Sequence, residues 1–221
     1  MSGAREEILA RIRLATGTVA APEETDAAYA ALPRPYRRAH HDPSAADVVA
    51  LFAERAADYR AVVERVPEDE LPGAVAAAAG SLPSVVVPDG LPGGWLAGLR
   101  PNVRLVRDEP PLSAAELDRI AGVVTGCAVA IAETGTIILD HGPGQGRRAL
   151  TLVPDFHLVV VRAGQVAADI ADALARLDPA RPHTLISGPS ATSDIELIRV
   201  EGVHGPRTLH VLLADPDRGV A

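Results

Sequence analysis

The chain has 221 residues, a net charge of −8, 48% hydrophobic residues and 23% charged residues. These values predict one globular domain, with room for a short appendage. The negative net charge disfavours binding to nucleic acid, because a phosphate backbone would repel the molecule. No stretch approaches the roughly 20 apolar residues of a membrane-spanning helix, and Arg5, Glu6 and Glu7 interrupt any apolar leader. We therefore expect a cytoplasmic protein.

Cysteine and lysine usage narrows the chemistry further. The single cysteine, Cys127, excludes a disulfide or a four-cysteine iron–sulfur cluster within this chain. All 21 basic residues are arginines, which excludes Schiff-base chemistry and a P-loop lysine. Any anion site must therefore use guanidinium groups or backbone N–H groups.

The N-terminal part, residues 1–79, is predicted to be a helical segment. It begins with a short amphipathic helix that places Ile8 and Ile12 on one side. A Pro- and Arg-rich arm follows at about residues 32–43, where prolines prevent regular helix. A long helix capped by Ser44 is then expected to keep a helical apolar period as far as Val66.

Residues 80–221 are predicted to form an α/β domain. Short β-branched runs, several of them apolar throughout, indicate strands covered on both faces. The predicted strands are Val85–Val87, Val103–Val106, Ala128–Ala132, Thr136–Leu139, Leu158–Val161, Thr184–Ser187 and Leu209–Leu213. Helices are expected between them. One follows a capping box at Ser113 and Glu116 and continues through Val124, and another carries Ile170, Leu174 and Leu177 on one face. The alternation predicts a mixed, mostly parallel sheet flanked by helices.

The first candidate cluster is a carboxylate in a sharp turn after an apolar strand, Glu133-Thr134-Gly135-Thr136. A carboxylate held there could act as a nucleophile or base, and the neighbouring groups could bind a ligand hydroxyl. The structural alternative is a turn residue that pairs with an arginine.

The second cluster runs from His141 to Arg148 and contains three glycines before two adjacent arginines. Arg147 and Arg148 are candidates for binding a carboxylate or phosphate, together with backbone N–H groups of the loop. The spacing matches neither a Walker loop nor a dinucleotide fingerprint. The alternative is a mobile surface loop.

The third cluster follows a predicted buried strand, with a Gly188-Pro189-Ser190 turn and then Asp194 and Glu196. Such a turn could open a helix whose free N–H groups face an anion. Plain N-capping, with the two acids favouring the helix dipole, is the alternative.

The fourth cluster places His204 and Gly205 beside a Gly-Pro turn, so His204 is a candidate acid, base or metal ligand. A zinc site needs three or four convergent ligands, and no His-x-x-x-His pair occurs here, so we predict no bound metal. His210 lies within an apolar strand and is expected to be a hydrogen-bonded core residue. Cys127 is expected to be a buried, inert thiol.

Five sequence blocks, in the order given next, resemble those of the LUD-domain family of lactate-utilisation protein C. The resemblance extends over roughly residues 80–215. The blocks are Ala132-Glu-Thr-Gly-Thr-Ile-Ile, Gly146-Arg-Arg with Pro154 and His157 downstream, Gly188-Pro-Ser, Asp194-Ile-Glu, and Gly202-Val-His-Gly-Pro. One position departs from the pattern: the residue after Gly188-Pro-Ser is often basic in relatives and is Ala191 here. That departure leaves Arg147 and Arg148 as the favoured anion contacts.

The resemblance implies a fold like that of sugar-phosphate isomerases and CoA transferases. It also implies a part in oxidising L-lactate to pyruvate, alongside partner proteins of which at least one carries iron–sulfur clusters, with no cofactor bound by this chain. We expect an accessory or substrate-binding subunit for a small organic acid. Arg147 or Arg148 would hold its carboxylate, and Glu133 or His204 would accept the hydroxyl proton.

Two other hypotheses stay open. Glu133-Thr-Gly135 resembles the turn that carries the acyl-accepting glutamate of CoA transferases, which would make the chain an acyl-transfer enzyme. The chain could instead be a non-catalytic interaction module whose N-terminal helices and arm dock partner subunits.

Overall fold

A computed structural model describes residues 3–17, 22–33, 48–192, 200–201 and 205–215. Contacts divide the chain into two units, Met1–Arg37 and Arg38–Ala221. The first unit contributes two helices, α1 (Ala4–Thr16) and α2 (Pro22–Ala31). Helix α1 has no buried residue, and Ile8 and Ile12 are about half exposed, so its predicted apolar side is not covered within its own unit.

The described residues of the second unit form four further α-helices and twelve strands. The helices are α3 (Val48–Asp58), α4 (Leu71–Ala79), α5 (Ala114–Leu117) and α6 (Ile170–Ala175). The strands are β1 (Val62–Val66), β2 (Ser84–Val87), β3 (Arg104–Arg107), β4 (Gly122–Thr125), β5 (Val129–Ile131), β6 (Thr136–Leu139), β7 (Phe156–Arg162), β8 (Val166–Ala167), β9 (Thr184–Ile186), β10 (Ala191–Thr192), β11 (Val200–Glu201) and β12 (Thr208–Ala214).

The main sheet has six strands in the order β1-β12-β7-β4-β2-β3, and every neighbouring pair is parallel. A second sheet has the order β8-β5-β6-β9 and is mostly antiparallel. Strands β10 and β11 form a small antiparallel pair. The predicted fold class, a mostly parallel sheet flanked by helices, is confirmed.

Side chains on the two faces of the main sheet belong to different apolar clusters. On one face Val159 and Val211 pack with Phe52 of α3 and with Ile137 of the second sheet. On the other face, the residues that alternate with these along β7 and β12 pack against α4 and Trp95. The alternation follows from the two-residue period of a strand. His157 and Leu209, at the start of β7 and β12, share the parity of the first face and therefore point toward the second sheet.

The long helix predicted to reach Val66 is wrong after Asp58. Arg60 has a φ of 68°, outside the helical region, and the chain then enters β1. Val63 and Val66 are therefore strand residues of the main sheet, whose parallel pairing with β12 overrides an ambiguous apolar period. The contact units accordingly place α3, β1 and α4 in the same unit as the sheet, Arg38–Ala221.

Two helix predictions also need correction. The capping box at Ser113 and Glu116 is confirmed, but α5 ends at Leu117, and Val124 lies in strand β4 of the sheet interior. On the predicted apolar face of the helix at α6, Ile170 and Leu174 are more than half exposed, whereas Leu177 packs with Ala173 against the second sheet.

Candidate functional site

A pocket of about 230 Å³ lies between the two sheets. We call it the amino-end pocket, because the main sheet supplies the first residues of β7 and β12, including His157 and Leu209. The second sheet supplies the carboxyl end of β9 and the turn that follows it, and a 3₁₀ helix at Arg148–Thr151 completes the wall. Five predicted site residues line this pocket: Arg148, Gly188, Pro189, Ser190 and Gly205.

The Gly188 turn is fixed against α3 by a close backbone contact. Gly188 has a φ of 87°, and a Cβ atom there would lie 2.6 Å from the carbonyl oxygen of Tyr59. Only glycine fits both constraints without strain. The Ser190 N–H donates to the carbonyl oxygen of Pro206, which ties this turn to the segment that enters β12. The two halves of the pocket wall are therefore hydrogen-bonded to each other.

The Glu133 turn joins β5 to β6, as predicted, and is coupled to the pocket through hydroxyl groups. Thr134 Oγ1 and Thr136 Oγ1 are 2.7 Å apart, and Thr136 Oγ1 is 2.8 Å from Ser187 Oγ, at the pocket wall. Gly135, with a φ of 61°, packs against the α3 backbone. Glu133 is not among the described residues that line the pocket, and its N–H donates to the Ala168 carbonyl.

The two adjacent arginines have different environments. Arg147 donates two hydrogen bonds to the Asp108 carboxylate, at 2.6 and 2.9 Å, and a third to the Leu112 carbonyl. The hydrogen bond from Arg147 holds the pKa of Asp108 below its usual value. Arg148 is exposed and lines the amino-end pocket, and in the described part of the chain its guanidinium makes no ion pair or hydrogen bond. Sequence spacing alone could not separate these roles.

Arg147 belongs to a second, wider pocket of about 700 Å³, here called the carboxyl-end pocket. It lies where β2 and β3 end, at Pro88-Asp89 and Arg107-Asp108. This is the edge of a parallel sheet at which α/β proteins commonly bind ligands. The structure thus places the two predicted anion contacts in different pockets.

The glycine-rich loop before the arginines is held by internal hydrogen bonds. Gln145 is buried; its side chain accepts from the Asp140 N–H and donates to the Asp140 carboxylate. The Gly144 N–H donates to the Asp89 carbonyl, and His141 bonds to Gly146 and Thr184. These contacts leave the loop ordered, and they use N–H groups that an anion site would need.

A buried polar pair, of which His157 lines the pocket and Thr125 lies behind it, was not predicted to be functional from the sequence. His157 Nε2 lies 2.7 Å from Thr125 Oγ1, and both residues are almost fully buried. Burial alone lowers the pKa of His157 to about 4, so the ring is neutral at pH 7. The available signal was the position of a histidine at the start of a strongly apolar strand, where an ionisable side chain is rare.

Two residues expected in the core are found there. Cys127 is buried, and burial raises the pKa of its thiol to about 12, which makes it unreactive at neutral pH. His210 is buried in β12 as predicted, but the hydrogen bond expected for it is not formed at Nε2, which lies 2.9 Å from Oε1 of Glu64 without the angles of a hydrogen bond.

Three predicted site residues lie outside the described residues: Asp194, Glu196 and His204. Most of the Pro/Arg-rich arm does as well. Within the described ranges, no group of three or more His, Cys, Asp or Glu side chains could hold a metal ion. In those same ranges, no helix has the length and apolar character needed to cross a membrane.

Comparison with known proteins identifies the family. Residues 114–214, which include every described residue of the amino-end pocket, match the LUD domain. Lactate utilization protein C of Deinococcus radiodurans is 53% identical over 77% of this chain and 81% of its own length. The protein of the same name from Shouchella clausii is 30% identical over 52% of this chain and 54% of its own length.

A solved structure gives the same result. The crystal structure of a DUF162 family protein from Deinococcus radiodurans superposes with a TM-score of 0.65 at 45% identity, over 81% of this chain and 99% of that one. At this identity the match covers most of both chains in sequence as well as in fold. The chain belongs to the LUD-domain family of lactate-utilisation protein C.

Proposed function

We propose that this chain acts in lactate utilisation, as the substrate-binding subunit of a cytoplasmic, iron–sulfur-dependent system that oxidises L-lactate to pyruvate. The names of its relatives support a part in lactate utilisation. The clusters are assigned to partner subunits, because one cysteine cannot ligate a four-cysteine cluster. In this proposal the amino-end pocket binds the acid.

The observation that carries the proposal is the environment of Arg148. A guanidinium with no protein partner among the described residues is available for a carboxylate, which it can bind through two parallel hydrogen bonds. The pocket volume of about 230 Å³ is below the roughly 300–1,000 Å³ typical of sites for drug-sized ligands. One carboxylate on a small acid suits both the charge and the size.

Hydroxyl-bearing residues also line the pocket, among apolar side chains such as Leu152 and Leu209. Thr184, Ser187 and Ser190 can donate to or accept from a small polar ligand. Oxidation of lactate removes a proton from its hydroxyl and two electrons with a proton from C2. The partner subunits would accept both electrons, at their clusters, and the proton from C2. Our proposal assigns this chain the tasks of binding the acid and excluding water, with Glu133 or His204 as the acceptor of the hydroxyl proton.

An add-back assay tests the function. Lactate-dependent dye reduction is measured in extracts of cells that lack this gene, with purified protein added. We expect wild-type protein to restore activity and Arg148→Gln to restore little. Arg107→Gln is the matched control, because Arg107 is an exposed arginine of the carboxyl-end pocket. Full activity in the extract without added protein contradicts the proposed function.

A further inference from the structure

The His157–Thr125 pair is a polar contact inside an otherwise apolar region. The two residues lie on neighbouring parallel strands, β7 and β4, and are 1% and 0% exposed. Their strand neighbours on the same face, such as Val159 and Val211, belong to the apolar core. Burying an imidazole costs free energy unless both ring nitrogens find partners.

Thr125 satisfies only one of those nitrogens. Thr125 Oγ1 lies 2.7 Å from His157 Nε2. No partner for His157 Nδ1 is found in the part of the chain that the structure describes. His157 also forms part of the wall of the amino-end pocket. Nδ1 is therefore the ring nitrogen left for a ligand in that pocket.

The ring and Arg148 offer a ligand two different kinds of contact. Arg148 carries the positive charge of the pocket, whereas burial lowers the pKa of His157 and keeps its ring uncharged at neutral pH. A neutral imidazole with Nε2 engaged has one donor or one acceptor at Nδ1, according to its tautomer. Nδ1 is therefore complementary to a ligand hydroxyl, which can either donate or accept a hydrogen bond.

We infer that His157 hydrogen-bonds the 2-hydroxyl of an acid whose carboxylate is held by Arg148, and so selects 2-hydroxycarboxylates over acids without that hydroxyl. Thr125 is a positioning residue, which fixes the ring through Nε2. The inference rests on the proposed function, since it uses the same pocket, and it adds the group that recognises the substrate class.

The test compares two acids that differ only in the hydroxyl. Binding of L-lactate and of propionate to the full chain is measured by titration calorimetry. We expect wild type to prefer lactate by roughly three- to tenfold, the contribution of one neutral hydrogen bond. In His157→Gln the amide can keep the Thr125 contact while the group at Nδ1 is lost, so the preference should fall to about one.

The ratio between the two acids separates recognition from structural damage, because a distorted pocket weakens both acids together. Thr125→Val, which keeps shape and removes the hydroxyl, should reduce the preference less than His157→Gln. Equal binding of both acids by wild type, or an unchanged ratio in His157→Gln, overturns this inference and leaves the proposed function standing. Failure of wild type to bind either acid overturns both.

Discussion

The amino-end and carboxyl-end pockets lie at opposite ends of one parallel sheet and differ in the partners of their arginines. At the carboxyl ends of β2 and β3, Arg147 is held by Asp108 through two hydrogen bonds. At the amino ends of β7 and β12, Arg148 lines a smaller pocket without an ion-pair partner among the described residues. Adjacent arginines thus serve different purposes: one stabilises a loop, and the other is available to a ligand.

This difference shows why sheet topology alone does not locate the site. Parallel sheets commonly bind ligands beyond their carboxyl ends, and the wider pocket lies there. The smaller pocket instead forms where a second sheet packs beside the amino ends of the central strands, and the Gly188 turn closes it. A cation without an ion-pair partner among the described residues, in the same pocket lining as a buried neutral imidazole, is the stronger indication of a ligand site.

The largest expected effect is on stability at acid pH, and it separates the two pockets. The pKa of His157 is about 4 in the folded protein against an ordinary 6.5. The unfolded chain therefore binds a proton that the native state does not, and stability falls as pH decreases from about 6.5 to about 4. We expect wild type to lose roughly 2–3 kcal/mol between pH 7.5 and pH 4.5 through this group.

Urea unfolding at both pH values, for wild type and His157→Gln, isolates the contribution. The variant should lack that part of the pH dependence, whereas all other groups contribute equally to both proteins. Asp108 in the other pocket has a lowered pKa, so its contribution is present above about pH 4 and is lost only below it. Identical pH dependence in the two proteins would show that His157 is not buried as a neutral ring.

The next effect concerns the turn that closes the amino-end pocket. Gly188→Ala should cost about 2 kcal/mol or more, because the new Cβ meets the Tyr59 carbonyl at a positive φ. Gly164→Ala is the matched control: a Cβ there meets nothing within 4 Å, and we expect a change within about 0.5 kcal/mol. Thermal unfolding of both variants measures the difference, and equal stabilities would contradict the close contact.

A smaller effect is expected at the carboxyl-end pocket. Arg147→Gln removes the partner of Asp108, a pair that is partly exposed, so we expect a loss of about 1 kcal/mol in unfolding free energy. Lactate binding should stay within about twofold of wild type, because the side-chain hydrogen bonds found for Arg147 among the described residues go to Asp108 and Leu112, outside the amino-end pocket. A loss of binding as large as that of an Arg148 variant would erase the distinction between the two arginines.

Local patterns predicted the strands well, and long-range contacts explain what they missed. Thr136–Leu139 was placed correctly because an apolar β-branched run covered on both faces has few alternatives. The pattern predicts helix for Val124 and Val63, which lie in strands, because a short apolar run fits both the helical period and the strand period. Only pairing with a neighbouring strand distinguishes the two.

The geometry of the candidate pockets depends on long-range contacts in the same way. Arg148 and the Gly188 turn were recognised from composition, but the partner of Arg147 lies 39 residues away and that of His157 lies 32 residues away. Which arginine is neutralised, and which histidine is buried in a pocket wall, depends on tertiary contacts that no local motif encodes. The roles of Glu133 and His204 stay predictions.

The most direct test of the central claim is titration calorimetry of L-lactate against wild type, Arg148→Gln and Arg107→Gln, with folding verified by circular dichroism. We predict binding by wild type, a loss of roughly ten- to a hundredfold in Arg148→Gln, the contribution of hydrogen bonds to a charged group, and no change in Arg107→Gln. Weakened binding in Arg107→Gln together with unchanged binding in Arg148→Gln would place the acid in the carboxyl-end pocket and contradict the account.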